Sequence, residues 1–259
     1  MTSPSAASAI VTAALVIIGD EILSGRTRDA NLSYLAEQLV EAGIRLEEVR
    51  VVTDRTDAIV RAVNELRERH DHVFTSGGIG PTHDDITCDA VAEAFGVAVE
   101  RHPEAVRRMR EHAARRGLEL NEARMRMARA PASAVLIRNP VSAAPGFTIG
   151  NVHVMAGVPS VFQAMVQELL PSLRGGDRMH SLSVVCDLGE GVVAGGLGGI
   201  QERYPDVGIG SYPYYRAGAF GTTLVMRGTG RDRIELAAEE VRALVRSLGG
   251  TPTDVNEET

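Results

Sequence analysis

The chain has 259 residues, 44% hydrophobic and 24% charged, the composition of an ordinary globular protein with room for one sizeable core and a smaller second unit. All 27 basic residues are arginine, which excludes a P-loop lysine, a kinase-type phosphate lysine and a Schiff-base lysine. Against 34 acidic residues they leave a net charge of −7, which argues against general nucleic-acid binding but allows a small polyanion to be bound locally.

Cys88 and Cys186 form no paired spacing, so neither a disulfide framework nor a cysteine-rich zinc site is expected, and a reducing cytoplasm is the expected location. No stretch approaches the roughly 20 apolar residues that cross a bilayer, so no membrane association is expected. Residues 1–12 read as a flexible leader.

Residues 13–18 are continuously apolar and rich in branched side chains, then stopped by Gly19-Asp20, the pattern of a parallel strand buried on both faces. Leu32, Leu35, Ala36, Leu39 and Val40 follow at helical spacing, with Gly43 as the stop. A strand over 44–52 comes next. Asp54 or Thr56 can cap a helix carrying Ile59, Val60, Val63 and Leu66, and a third strand over 72–75 runs into Ser76-Gly77-Gly78. This alternation predicts an α/β sheet with right-handed crossovers.

Further helices are predicted over 85–95, after Pro103 and over 121–129. A strand over 135–137 and a hairpin over 147–155 close the sheet, and Pro159 opens a helix to Leu170 that Pro171 stops. The turn-rich segment 173–177 marks a domain boundary. Beyond it, a strand over 181–187, a helix over 192–204, strands over 207–211 and 222–227 and a helix over 231–248 give a small β-α-β-β-α unit. The domains are thus expected at 13–174 and 178–250, with 251–259 a flexible tail.

Gly77-Gly78-Ile79-Gly80-Pro81-Thr82-His83-Asp84-Asp85 lies between a buried strand and a helix. The glycines let the backbone turn and approach a ligand, and the loop is expected to direct N–H groups into a concavity suited to phosphate. Asp84 and Asp85 would repel that phosphate unless a divalent cation, magnesium first, lay between them. The same residues also fit a tight turn in which Asp84, Asp85 or Thr87 caps the helix.

Gly19-Asp20-Glu21 also follows a predicted parallel strand, and open α/β sheets bind ligands outside the carboxyl ends of their strands. Ser24, Gly25 and Asn31 lie on the turn beyond, where Asp29 or Thr27 can equally cap a helix. Gly157-Val158-Pro159-Ser160 forms a third loop. His70 and His72, lacking a third ligand, read as surface histidines, and His83 as a solvated one. The arginines of 107–116 alternate with Glu104 and Glu111 as a solvated face. Gly189, Gly191, Gly195 and Gly196 have the wrong spacing for a dinucleotide fingerprint and read as a tight lead from strand into helix.

Taken in order, Gly19-Asp20-Glu21-Ile22-Leu23-Ser24-Gly25 with Asn31, the Gly77 to Asp85 loop with Thr87, and Gly157-Val158-Pro159-Ser160 resemble the MoaB/Mog-type molybdopterin-binding domain. The resemblance runs from about residue 15 to 170. It is strongest to CinA-type (competence/damage-inducible protein A) proteins and the N-terminal domain of eukaryotic FAD synthases, and the downstream unit looks like the small domain that follows in CinA-type proteins.

This resemblance implies a three-layer α/β domain with a mostly parallel mixed sheet, followed by a small α+β domain, and self-association as a dimer or trimer. It implies a cleft for a pterin or an adenine nucleotide. Asp20 and Asp84 would be the catalytic and metal-holding carboxylates, with Asp85 supporting. Gly19, Glu21, Ser24, Gly25, Asn31, Ser76, Gly77, Gly78, Gly80, Pro81, Thr82, Gly157, Pro159 and Ser160 would line the ligand. The cation would be magnesium, with cobalt or nickel as alternatives.

The activity implied is metal-dependent pyrophosphate hydrolysis of ADP-ribose or FAD-like dinucleotides. Non-catalytic molybdopterin binding or carriage and molybdopterin adenylylation share the cleft. Where CinA-type proteins carry Pro-Gly-Val-Pro-Ser-Glu, this chain has Ala156 and Val161 at the edges and lacks that carboxylate.

Overall fold

The computed structural model describes residues 10–216 and 219–255. They fall into two compact units, one ending at Asp177 and the other beginning at Arg178.

The first unit is a six-stranded sheet between two helical layers. Its strands are β1 (Val11–Ile18), β2 (Ile44–Val52), β3 (His72–Ser76), β6 (Val135–Ile137), β7 (Gly146–Ile149) and β8 (Val152–Met155). Across the sheet they run β2-β1-β3-β8-β7-β6. The first four are parallel, and β7 is antiparallel to both β8 and β6. The unbroken apolar run of β1 has a direct cause. Ala14, Val16 and Ile18 enter the core beneath α3 (Thr56–Arg67) and α4 (Thr87–Phe95), while Ala13, Leu15 and Ile17 enter the core beneath α2 (Asn31–Glu41) and α7 (Pro159–Leu169).

The short helix α1 (Asp20–Leu23) follows β1 directly. Beyond α4, strands β4 (Val99–Arg101) and β5 (Arg129–Pro131) pair as a separate ribbon around α5 (Pro103–Arg116) and α6 (Glu122–Met125), with a 3-10 turn at Arg126–Ala128. Arg107 bridges Glu104 and Glu111 on α5, so that arginine-rich helix presents a self-neutralised outer face.

In the second unit, β9 (His180–Cys186), β10 (Gly208–Arg216), β11 (Ala219–Gly228) and β12 (Thr253–Val255) form an antiparallel sheet in the order β10-β11-β9-β12. Helices α8 (Glu190–Arg203) and α9 (Arg231–Ser247) pack on it through Val193, Leu197, Ile200, Ile234, Val241 and Val245.

Several expectations are corrected. Val11 and Thr12 are not leader but the start of β1, where the Thr12 N–H donates to Asp71 (2.8 Å). Residues 1–9 lie outside the described residues. The tail is also ordered in part. The free edge of β9 pairs with β12, while Thr251 N–H donates to Asp187 (2.8 Å) and Arg242 bonds Asp254 (2.8 Å). Residues 256–259 lie outside the description.

Helix α4 begins at Thr87 rather than Asp85, because Asp85 is committed to the preceding loop. Of the glycines read as a lead into a helix, only Gly189 has that place, as the N-cap. Gly191, Gly195 and Gly196 lie inside α8.

Candidate functional site

Because β2, β1, β3 and β8 are adjacent and parallel, the loops at their carboxyl ends share one edge of the sheet. Those loops carry Asp54, Gly19-Asp20-Glu21, the Gly77 to Asp85 segment and Gly157.

The glycine loop is held close against the strand ends. Gly77 (φ 113°) and Gly78 (φ 68°) are in the left-handed region. A Cβ on Gly77 would meet the Ile18 carbonyl oxygen at 2.2 Å, and one on Gly78 the Thr87 Oγ1 at 2.1 Å. Thr87, fully buried, fixes the loop from below. Its hydroxyl donates to the Gly77 carbonyl and its N–H to the Gly78 carbonyl, both at 3.0 Å.

Asp85 closes the loop from the other side. One oxygen accepts the Gly80 N–H (2.6 Å), and the other accepts the Thr82 N–H (2.7 Å) and hydroxyl (2.5 Å). The expectation of outward-facing N–H groups is therefore corrected at Gly80 and Thr82: their donors meet the loop's own carboxylate. Charge-assisted bonds of this kind are the stronger class, so the Asp85 carboxylate acts as the internal anion of an anion-binding turn.

A cluster of carboxylates lies beside this loop. The Asp20 N–H donates to Asp54 Oδ2 (2.8 Å). Burial is the main cause that pushes the Asp54 carboxyl above its ordinary range. The charges of Asp20, Glu21 and Asp84 push the same way, against the Asp20 N–H. The exposed Asp84 carboxyl is held below the ordinary range by the Thr82 side chain first, then by its own backbone N–H and the charge of His83.

The mutual repulsion felt at Asp54 is what a cation would relieve, and the donors are hard oxygens suited to magnesium. Among the described residues no three His, Cys, Asp or Glu side chains form a ready-made metal cage.

The remaining sequence motifs divide. Asn31, at the first turn of α2 and 2% exposed, donates from its amide nitrogen to Ser76 Oγ and to the Gly157 carbonyl, both at 2.8 Å. It thereby ties the ends of β3 and β8 to α2, and Gly157 lies against Gly77 so closely that a Cβ would be 3.2 Å from its Cα. Gly19 opens α1, and the Glu21 carboxylate folds back over it. Ser24 and Gly25 are on the exposed turn after α1, where the Ser24 hydroxyl donates to the Glu21 carbonyl (3.3 Å). Asp29 accepts the Leu32 N–H (2.8 Å) in the first turn of α2. Pro81 is exposed on the loop, and Pro159 and Ser160 are exposed at the start of α7.

The sequence offers Asp54 only as a helix cap. Its carboxylate serves the Asp20 N–H instead, and Arg55 occupies the N-cap position of α3. The signal was its place immediately after a parallel strand, which is the same rule that singled out Asp20. His70 and His72 are corrected too. Both are buried, His70 beside Glu47 and Glu48 and His72 at the start of β3, bonded to His153 and the Arg174 carbonyl.

The sequence profile of the family described as "Probable molybdopterin binding domain" matches residues 14–175, and that of "FAD synthase, middle domain" matches residues 178–249. A protein of Metallosphaera sedula is 30% identical over 262 residues, covering 93% of this chain and 97% of its own length. A CinA-like protein of Citrifermentans bemidjiense is 40% identical over 167 residues, covering 62% of this chain but only 40% of that longer protein. The crystal structure of the protein CinA with unknown function from Thermoplasma acidophilum superposes with a TM-score of 0.57 at 31% identity, over 62% of this chain and 96% of that one. With its motifs on one sheet edge and the profile matching residues 14–175, nearly all of the first unit, the chain belongs to the molybdopterin-binding-domain family and is similar to CinA-like proteins.

Proposed function

We propose that the chain binds an adenine dinucleotide such as ADP-ribose or FAD at this edge and hydrolyses its pyrophosphate link with a divalent cation. The observation that supports this reading is the meeting of Asp20, Glu21, Asp54 and Asp84 beside a glycine loop whose backbone is held rigid by Asp85 and Thr87. A rigid, dipolar loop costs little reorganisation when charge develops on a phosphate, and that preorganisation is the main source of rate in such sites.

In the proposed reaction, water adds to one phosphorus and the bridging oxygen leaves with the other phosphate. ADP-ribose then gives AMP and ribose 5-phosphate. Asp84, exposed and kept ionised, orients the water and accepts its proton. Asp20 and Asp54 would hold the cation. When bound, that cation neutralises phosphate oxygens and stabilises the charge that develops on them. Asn31 fixes the relative position of the β3 and β8 loops on which this geometry depends.

A second reading, non-catalytic molybdopterin binding, is favoured by one observation: the first turn of α7 carries no acidic residue. Measuring AMP release by the metal-stripped chain, given ADP-ribose or FAD and then magnesium, cobalt or nickel, separates the two. Metal-dependent turnover that falls at least a hundredfold in Asp84→Ala supports hydrolysis. No turnover under any condition, together with measurable pterin affinity, moves the function to binding.

A further inference from the structure

In a chain without lysine, the side-chain countercharge for a phosphate at this acidic edge, beyond that of a bound cation, comes from arginine or histidine. The wall beside the glycine loop holds two, Arg126 from the 3-10 turn after α6 and Arg129 from β5, around a narrow cavity shared with Gly78, Gly80 and Asp85. They are not equivalent. Arg129 forms an ion pair with Asp89 of α4, so its charge is already met. Arg126 is half-buried, and among the described residues no carboxylate lies within ion-pair distance of it. Its guanidinium nitrogens are not among the buried polar atoms left without a partner, so water meets them and a phosphate oxygen can take that water's place.

We propose that Arg126 recognises the second phosphate of a diphosphate ligand at the glycine loop and so makes the site selective for diphosphate esters over monophosphates. This rests on the reading of the edge as a phosphate site given above. It adds a residue from outside the three sequence motifs and names the ligand chemistry that the residue selects. The cavity between Arg126 and the loop is about 20 Å³, room for roughly one water, so the guanidinium makes its phosphate contact by turning outward on its flexible stem. The planar fork then offers two parallel N–H donors to phosphate oxygens.

Calorimetric titration of the full chain with ADP-ribose and with AMP, in magnesium, tests this. Arg126→Gln is expected to weaken ADP-ribose binding about 10- to 100-fold while changing AMP affinity less than about threefold, and Arg126→Lys to recover part of the loss. An unchanged thermal midpoint in both variants excludes a folding defect. Equal loss for both ligands, or none for either, overturns the role of Arg126 while leaving the phosphate site standing. Wild-type chain that binds neither ligand overturns the phosphate-site reading and this proposal with it.

Discussion

His72 Nδ1 lies 3.2 Å from His153 Nε2, and this buried contact sits in the middle of a continuous chain of hydrogen bonds whose two ends are partly exposed. The chain assigns its own protons. His72 Nε2 is 3.0 Å from the Arg174 carbonyl, which only accepts, so Nε2 carries the hydrogen and Nδ1 must accept. His153 Nε2 therefore donates to it, and His153 Nδ1 accepts from the Thr148 hydroxyl at 3.0 Å.

The first prediction follows from that chain. Burial, then the charge of His72, drives the His153 pKa down to about 3. A histidine depressed in the folded state takes up more protons when unfolded, so stability is full above the ordinary pKa of 6.5 and falls as pH drops toward 3. Urea unfolding between pH 7 and pH 4 should show a loss of several kcal/mol, on the order of 3. His153→Gln should flatten this slope, and a slope identical to wild type would remove His153 as its source.

The loop residues give a second prediction. Gly77→Ala places a Cβ against the Ile18 carbonyl oxygen at a φ of 113° and should cost roughly 2–4 kcal/mol. Asp85→Ala should cost about 1–3 kcal/mol by leaving the Gly80 and Thr82 N–H groups without their acceptor. Asp85→Asn keeps an acceptor and should cost less. Chemical denaturation of the three variants checks the order, and an Asp85→Ala as stable as wild type would mean that solvent closes the loop equally well.

Asp54 supplies a third. Its raised carboxyl reflects burial and crowding with Asp20, Glu21 and Asp84, so a bound divalent cation should relieve repulsion and raise the thermal midpoint. Asp54→Asn should raise the midpoint of the metal-free chain slightly and weaken the magnesium-induced increase. Removing magnesium with chelator should reverse that increase in wild type. A midpoint indifferent to magnesium in the wild-type chain would argue against a cation held by these carboxylates without a phosphate ligand.

Two neighbouring glycines of α8 are expected to respond in opposite directions. A Cβ on Gly195 meets nothing within 4 Å, so Gly195→Ala should stabilise by about 0.5–1 kcal/mol through helix propensity. A Cβ on Gly196 would lie 2.3 Å from Leu244 Cδ1 of α9, so Gly196→Ala should lose roughly 1 kcal/mol through overpacking. Thermal unfolding that shifted both the same way would contradict the packing of α8 on α9.

Much of this protein is written locally in its sequence. The apolar run of β1, the helical spacing of Leu35 and Leu39, and the left-handed glycines at 43 and 96 depend on period and backbone sterics, which neighbouring residues determine. The glycine loop, Asp20 and Asp84 were legible for the same reason, since each follows a strand whose end is marked in the chain. What the tertiary structure decided was where each polar atom finds its partner. Asp54 becomes part of the carboxylate cluster only because β2 lies beside β1, Asp85 turns inward because the loop folds its N–H groups toward it, and His72 is buried because His153, 81 residues away, arrives on β8. Local pattern fixes backbone shape, but hydrogen-bond partners and charge neighbours depend on chain segments that meet only in the folded sheet.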